Sequence, residues 1–329
     1  MFPTRTQILD NVPNALLEFD MPGLGAKVSG RTRDSFILAD GRRLSVVTDR
    51  ISHYDRILGA VPYKGQVLNQ LAAFWFANTA DIVPNSMLDM PDPNVMVSRH
   101  LRRIPVQVVV RGYITGVTPT SLWYSYERGE RTIYGIRFPE GLNKNDALLK
   151  PIITPILRTG PGIAGEMISA KAVLERELVD PDVWERLCAI ALKLFARGQA
   201  VAADAGLILV DALYEFGMDE QGEIMLINEL HTPDASRFWR ANTYGSRKAA
   251  RQEPEHLDNE FIFLWYKQQG YEGEGKPPEL PDDIIVQATV RYIEAYEYLT
   301  RQSFAPAPYP ATARIKKAVA PYKKIAQTR

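Results

Sequence analysis

Four stretches of this sequence gather side chains that a plain apolar core does not need. The richest lies late in the chain. Asp211 and Glu215 stand four residues apart, Asn228 and Glu229 follow a short apolar run, and Asp234, Ser236 and Arg237 come next. Oxygen donors on neighbouring strand ends suit Mg2+, which takes one or two carboxylates and completes its shell with water and phosphate oxygens. Even spacing puts Asp211 and Glu215 on one side of a regular strand. An acidic rim that holds no metal accounts for the same residues. A second stretch, Val110-Arg111-Gly112-Tyr113-Ile114-Thr115-Gly116, ends a valine-rich run with an arginine between turn residues. A guanidinium there offers a fork for a phosphate or carboxylate, or for a structural acid. The third stretch is Thr48-Asp49-Arg50-Ile51-Ser52-His53-Tyr54-Asp55, which crowds acids, an arginine and hydroxyls after an apolar run. It reads as a site on a strand end or as a helix start capped by Ser52 or Asp55. The fourth is Ser29-Gly30-Arg31-Thr32-Arg33-Asp34. A glycine lets backbone approach a ligand and flanking cations neutralise phosphate, although a solvated strand edge has the same composition.

These residues need a scaffold, and the pattern supplies one. Ala26–Ser29, Asp34–Ala39 and Leu44–Thr48 read as short strands, the last two joined by the hairpin signal Asp40-Gly41. Gly65–Asn78 has helical periodicity, Arg103–Val110 is a buried strand, and Thr132–Phe138 is another strand. Residues 150–165 carry Pro151, Pro155, Gly160, Pro161, Gly162 and Gly165 and read as a loop, either functional or a plain connection. Asp180-Pro181 opens a helix with the stripe Val183, Leu187, Ile190 and Leu194. Leu207–Val210, Tyr214–Phe216 and Ile224–Ile227 read as strands, and Glu255–Gln268 and Asp282–Arg301 as helices. Strands first, then strands and helices without regular alternation, predict an α+β fold.

Three regions are expected: a strand-rich lobe over 1–100, an α+β central and helical region over 101–304, and a basic extension over 305–329. The extension opens with Pro306, Pro308 and Pro310, and all its charges are basic.

Lys plus Arg equal Asp plus Glu at 39 each, so no global charge commits the chain to nucleic acid or a membrane. The single Cys188 excludes an internal disulfide and fits a reducing cytoplasm. Met1–Asp10 lacks the build of a signal peptide, and no apolar run spans a bilayer. There is no zinc-like set of cysteine and histidine, no Walker A loop and no dinucleotide fingerprint. His53, His100, His231 and His256 are scattered and read as surface or satisfied residues.

Taken together the motifs resemble the SAICAR synthetase family. The matching segments are SGRTRD at 29–34, TDRISHYD at 48–55, PYKGQVLNQ at 62–70, VVRGYITG at 109–116, PEGL at 139–142, TP at 154–155, DALYEFG at 211–217 and NELHTPDASRFW at 228–239. They keep the family's order from about residue 20 to about residue 304.

The resemblance implies a two-lobed α+β fold with ATP in the interlobe cleft. It implies an ATP- and Mg2+-dependent ligase that joins L-aspartate to the carboxylate of carboxyaminoimidazole ribonucleotide through an acyl phosphate. It implies small-molecule partners, a ribotide carboxylate and an amino acid; whether the chain also forms a homo-oligomer is left open by the sequence. Carried over residue by residue, it puts Gly30, Arg31, Arg33 and Glu215 at ATP, and Glu215, Asn228 and Glu229 at the metal. It puts Asp49, Arg50, Ser52, Arg111, Gly112, Ser236 and Arg237 at substrate, with Arg237, Asp234 and Asp211 catalytic.

The sequence departs from the family pattern inside these motifs. Arg31 and Leu213 replace lysines, Asn228 an aspartate, and Val117 a serine. Gly162-Ile163-Ala164-Gly165-Glu166 replaces an acidic stretch, and Ser52-His53-Tyr54-Asp55 replaces SAFD. These changes leave two other readings open: a diverged ligase for another ribotide-like carboxylate or amine, as in nucleoside antibiotic biosynthesis, and a non-catalytic nucleotide-binding paralogue.

Overall fold

The computed structural model describes residues 2–54, 56–158, 160 and 165–323. In chain order the elements are α1 (Arg5–Asp10), β1 (Ala26–Ser29), β2 (Arg33–Ile37), β3 (Arg42–Val47), β4 (Arg50–His53), β5 (Arg56–Ala60), α2 (Lys64–Asn78), β6 (Met87–Asp92), β7 (Val95–Arg99), β8 (Arg102–Arg103) and β9 (Val106–Ile114). Next come α3 (Leu122–Tyr126), β10 (Thr132–Ile133), β11 (Ile136–Arg137), β12 (Asp146–Leu157), β13 (Glu166–Met167), α4 (Ala170–Glu175) and α5 (Pro181–Asp204). The chain continues with β14 (Leu207–Tyr214), β15 (Phe216–Met218), β16 (Ile224–Leu226), β17 (Ser236–Arg240), α6 (Ala241–Ala249), α7 (Glu260–Gln268), α8 (Asp282–Thr300) and α9 (Ala311–Lys323). The mixture is the expected α+β. It divides into two compact units: Met1–Asn78, Asn85–Arg102 and Trp265–Arg329 form unit 1, and Thr79–Pro84 and Arg103–Leu264 form unit 2. The expected boundaries are corrected by this division, because the chain returns to unit 1 at Trp265.

Unit 1 is built on the sheet β1-β2-β3-β7-β6, antiparallel throughout. The Asp40-Gly41 signal does what it promises. Gly41 takes φ +82°, a conformation glycine adopts without steric cost, and the Asp40 carboxylate accepts from the Arg42 amide at 3.0 Å. Along β2 and β3 the residues Phe36, Leu44 and Val46 point into one core with Val95 and Val97 of β7. That core is closed by Ala311, Ile315 and Val319 of α9. The basic tail is therefore not an extension up to Lys323: its helix is amphipathic, with apolar residues every fourth position buried against the sheet. Arg314 pairs with Asp92 and donates to Asn94 Oδ1 at 2.8 Å, while Tyr322 donates to Asp89 at 2.5 Å. At the start of α2, Gly65 allows close packing, since a Cβ there would lie 2.4 Å from the Val47 carbonyl oxygen.

Unit 2 is built on the antiparallel sheet β13-β12-β9-β14-β17. One face carries the cluster of Val109, Ile114, Leu122, Tyr126, Ile133, Tyr134, Phe138 and Ile156. The other carries α5, whose Phe195 comes to within 3.5 Å of where a Gly112 side chain would begin. Asp180 caps that helix through the Asp182 and Val183 amides, and Pro181 follows at its first position. The loop expected over 150–165 is corrected over its first half, because Lys150–Leu157 belong to β12. Proline density misled here: the register slips between Ala147 and Ile152, and Pro151 sits in that irregularity, where its missing N–H costs no ladder bond. Thr159 and Pro161–Ala164 lie outside the described residues, so part of the departure at 162–166 does too. The strand expected over 132–138 is a tight hairpin of β10 and β11, and the helix expected from Glu255 begins at Glu260.

Candidate active site

In unit 1 the polar residues at the end of β3 are fastened to backbone. Asp49 is buried and accepts from the Leu16 amide at 2.7 Å, the Gly65 amide at 2.9 Å and the Tyr309 hydroxyl at 2.7 Å. Burial pushes its carboxyl above the ordinary value, against the pull of those donors. Arg50 donates to the carbonyls of Leu17 at 2.7 Å, Gly30 at 2.9 Å and Arg31 at 3.3 Å, and pairs with Asp34 at 3.1 Å. Asp34 in turn accepts from the Phe19 amide at 2.8 Å. Asp49 and Arg50 thus hold together the N-terminal segment, the Gly30–Arg33 turn, the start of α2 and the residue Tyr309. Most of the bonding capacity of these two side chains, expected at substrate from the resemblance, goes to the fold. Ser52 is half-buried in the β4–β5 hairpin opposite Ile57, with no helix start at this point. Asp55 lies outside the described residues.

The turn that Arg50 grips is compact. The Gly30 amide donates to the Arg33 carbonyl at 2.8 Å, and the Arg33 stem comes to 4.0 Å of where a Gly30 Cβ would sit. Arg31 is exposed and Arg33 half-buried. Cations on a tight glycine turn are suited to phosphate oxygens.

In unit 2 the sequence-selected residues of β9, β14 and β17 do meet. Asp211 faces Arg111 on one neighbouring strand and Arg237 on the other. The Asp211 carboxylate is 2.6 Å from Arg237 Nη1 and 3.5 Å from Arg111 Nη1. Arg111 also donates to Thr154 Oγ1 at 2.7 Å and to the Thr120 carbonyl at 2.8 Å, and its guanidinium stands 5.6 Å from the Tyr134 ring centroid. Arg237 donates to Glu260 at 2.9 Å and to Ser121 Oγ at 3.2 Å. Glu260 passed unnoticed in the sequence. Its other oxygen accepts from the Val117 amide at 3.0 Å, and its own amide donates to Asp258 at 2.8 Å. Asp258-Asn259-Glu260 directly ahead of an apolar helix was the available signal, and it reads as an ordinary helix cap. Burial works against the Arg237 charge, yet Asp211, Glu260 and Asp258 outweigh it and hold the guanidinium above its ordinary value. Burial likewise opposes the Glu260 charge, and Arg237 and His256 more than offset it, so its carboxyl sits below the usual range. Thr118 and Ser121 share a hydrogen bond of 2.7 Å beside Arg237, adding hydroxyls to the cluster.

The neighbouring residues sort themselves around this cluster. Ser236 stands opposite Ala212, buried, with no hydrogen-bond partner for its hydroxyl. Asp234 is half-buried in the loop before β17. Gly112 lets Phe195 pack closely against β9.

Farther along the same face Glu215 meets Gln107, whose Nε2 donates at 2.5 Å, and also Arg103 and the Asn228 amide. Asn228 holds φ +66°, a conformation asparagine tolerates. The Glu229 carboxylate accepts from Thr232 Oγ1 at 2.6 Å. Arg103 and two side-chain amides thus surround the Glu215 carboxylate, which was expected at the metal. Among the described residues no group of three histidine, cysteine, aspartate or glutamate side chains is arranged to hold a metal. Leu213 lies between the two polar clusters, opposite Val109, and packs on the apolar cluster of unit 2. Asp211 and Leu213 alternate with Ala212 along β14, and Glu215 follows directly after the last strand residue, Tyr214. No helix among the described residues is long and apolar enough to cross a membrane.

Comparison with known proteins falls on this same architecture. A family model described as SAICAR synthetase matches residues 26–278. A putative phosphoribosylaminoimidazole-succinocarboxamide synthase 2 of Mesorhizobium japonicum is 44% identical over 286 residues, covering 87% of this chain and 91% of that protein. A phosphoribosylaminoimidazole-succinocarboxamide synthase of Legionella pneumophila is 45% identical over 295 residues, covering 89% and 93%. Among solved structures, the SAICAR-synthase from Saccharomyces cerevisiae complexed with SAICAR superposes with a TM-score of 0.74 at 30% identity, over 89% of this chain and 100% of that one.

Proposed function

The chain belongs to the SAICAR synthetase family, and on that premise we propose that it is an ATP-dependent carboxylate-amine ligase. It joins the amine of L-aspartate to the carboxylate of carboxyaminoimidazole ribonucleotide and releases SAICAR, ADP and phosphate. The observation that carries the reading is the likeness, over 89% of the chain, to a synthase complexed with SAICAR.

The chemistry asks for two things. A carboxylate is a poor electrophile, so phosphoryl transfer from ATP converts it to an acyl phosphate. The aspartate amine then attacks the acyl carbon, the C–O bond to phosphate breaks and the amine loses its proton. Both steps gather negative charge, which fixed cations and hydroxyls stabilise best when they are already in place. Arg111 and Arg237 meet that need at the ribotide phosphate. Asp211 and Glu260 hold the Arg237 guanidinium in its place, and Ser121 stands beside it. The cations of the Gly30–Arg33 turn, Arg31 and Arg33, would hold the ATP phosphates. Magnesium would arrive with the nucleotide as the counter-ion of its phosphates, and no residue of this chain is assigned to it.

A coupled assay of ADP release, with carboxyaminoimidazole ribonucleotide, aspartate, ATP and Mg2+, tests the reading. Turnover on the order of 1 s⁻¹ or faster is expected. Absence of ADP release that depends on both other substrates would sink it.

A further inference from the structure

The two faces of the unit 1 sheet differ in kind. One holds the apolar core closed by α9. The opposite face carries Arg33, Ser35, Arg43 and Ser45, because strand residues alternate and Ser35 pairs directly with Ser45. The Ser35 and Ser45 hydroxyls are buried and 2.9 Å apart. Arg43 Nη2 donates to Ser35 Oγ at 3.0 Å. Arg43 Nε is buried and has no hydrogen-bond partner. Among the described residues no carboxylate lies within ion-pair distance of Arg43, although the protein pairs many of its other arginines with acids. Burial and the neighbouring charge of Arg33 push the Arg43 guanidinium down to about 10. A half-buried cation beside a like charge, with an idle donor and no acid, is electrostatically incomplete.

We propose that Arg43 is a nucleotide-binding residue, its guanidinium holding, with Arg33, the polyphosphate of the bound nucleotide on this face of the unit 1 sheet. The inference rests on the assignment of ATP to the Gly30–Arg33 turn and extends that site along the strands. Arg33, Arg43, Ser35 and Ser45 together offer two guanidinium groups and two hydroxyls, which is the donor set of an oxyanion site. Arg33 and Arg43 lie four residues apart in register on adjacent strands, roughly 13 Å along the strand direction at the usual rise per residue. Long side chains reaching from both ends span that gap around a multiply charged anion.

Calorimetric titration of ATP, ADP, AMP and inorganic tripolyphosphate into the whole protein and into Arg43→Met tests the assignment. The substitution is expected to weaken ATP and ADP at least tenfold and AMP less, with the KM for aspartate unchanged. Should Arg43→Met prove unstable in a thermal melt, Arg43→Gln, which keeps the stem and a donor, is titrated instead. Equal ATP affinity in variant and parent overturns the role of Arg43 and leaves the nucleotide assignment standing. If the unmodified protein binds no ATP, the nucleotide assignment falls, and tripolyphosphate decides. Binding that Arg43→Met abolishes keeps the oxyanion site, and no binding ends the proposal.

Discussion

At the end of β3 in unit 1 and along β14 in unit 2, acids and arginines meet below the surface, but they spend their hydrogen bonds on different partners. Asp49 and Arg50 bond mainly to amides and carbonyls of distant segments: Leu16, Leu17, Gly30, Arg31 and Gly65. Asp211, Arg237, Arg111 and Glu260 bond mainly to one another and to hydroxyls. A side chain that satisfies buried backbone groups cannot leave without orphaning them, so it acts as a staple. Side chains that satisfy one another form a preorganised set of charges, which a ligand of the right charge can join. Composition makes the two regions look alike. Their partners make one of them architecture and the other the better candidate for chemistry.

The largest effect that sharpens this contrast comes from truncating the chain at Ala305. Removing α9 uncovers the sheet core at Ile315 and Val319, worth about 1.5–3 kcal/mol for each such side chain. It also takes the Tyr309 hydroxyl from Asp49, a bond to a charged group worth about 1.5–3 kcal/mol. Chemical denaturation should give a loss of roughly 5 kcal/mol or more, or no folded protein. A truncated chain with unchanged stability and activity would return the tail to the status of an extension.

Next in size is a matched pair of conservative changes, Arg50→Lys and Arg237→Lys. Lysine keeps the charge and loses the fork. At Arg50 several carbonyls lose their donor, so stability should fall by about 2–4 kcal/mol while the KM values of the surviving enzyme stay near normal. At Arg237 the KM for the ribotide should rise about tenfold or more, in keeping with roughly 1.5–3 kcal/mol for a charge-assisted contact, with a smaller change in stability. The comparison breaks if the two variants behave alike in both measurements.

Where the sequence was informative, local chemistry decided the structure. Asp40-Gly41 and Asp180-Pro181 needed nothing from afar to specify a hairpin and a helix start. The misreadings arose where the partner was distant. The spacing of Ala311, Ile315 and Val319 carried a helical stripe, but the strands it covers lie more than two hundred residues earlier, and its basic neighbours masked it. The prolines of 150–157 pointed to a loop because a register slip in β12 cannot be read from composition. The backbone partners of Asp49 and Arg50 were not legible, because a sequence does not say which distant amides and carbonyls a polar side chain will meet. The even spacing of Asp211 and Leu213 did carry over into β14. Arg103 and Gln107 reach Glu215 from strands whose pairing no local pattern announces.

The smallest effect concerns Glu260, which separates a charged positioning partner from a neutral hydrogen-bond acceptor. Glu260→Gln keeps shape and one acceptor but removes the charge opposite Arg237 and sets an amide among donors. At pH 7 it should cost about 1 kcal/mol of stability. Its pH dependence is the sharper measure. The folded carboxyl lies below its ordinary value because Arg237 and His256 outweigh burial, so the folded state binds its proton less readily than the unfolded chain. The stability from this charge is therefore complete above the ordinary glutamate range near about 4.3, and it is lost as pH falls through the folded value. Denaturation curves of the parent and Glu260→Gln should differ at neutral pH and converge as the solution is acidified below about pH 4. A gap that stays constant across that range would mean that Glu260 contributes geometry alone, and the charge balance assigned to the Arg237 cluster would have to rest on Asp211.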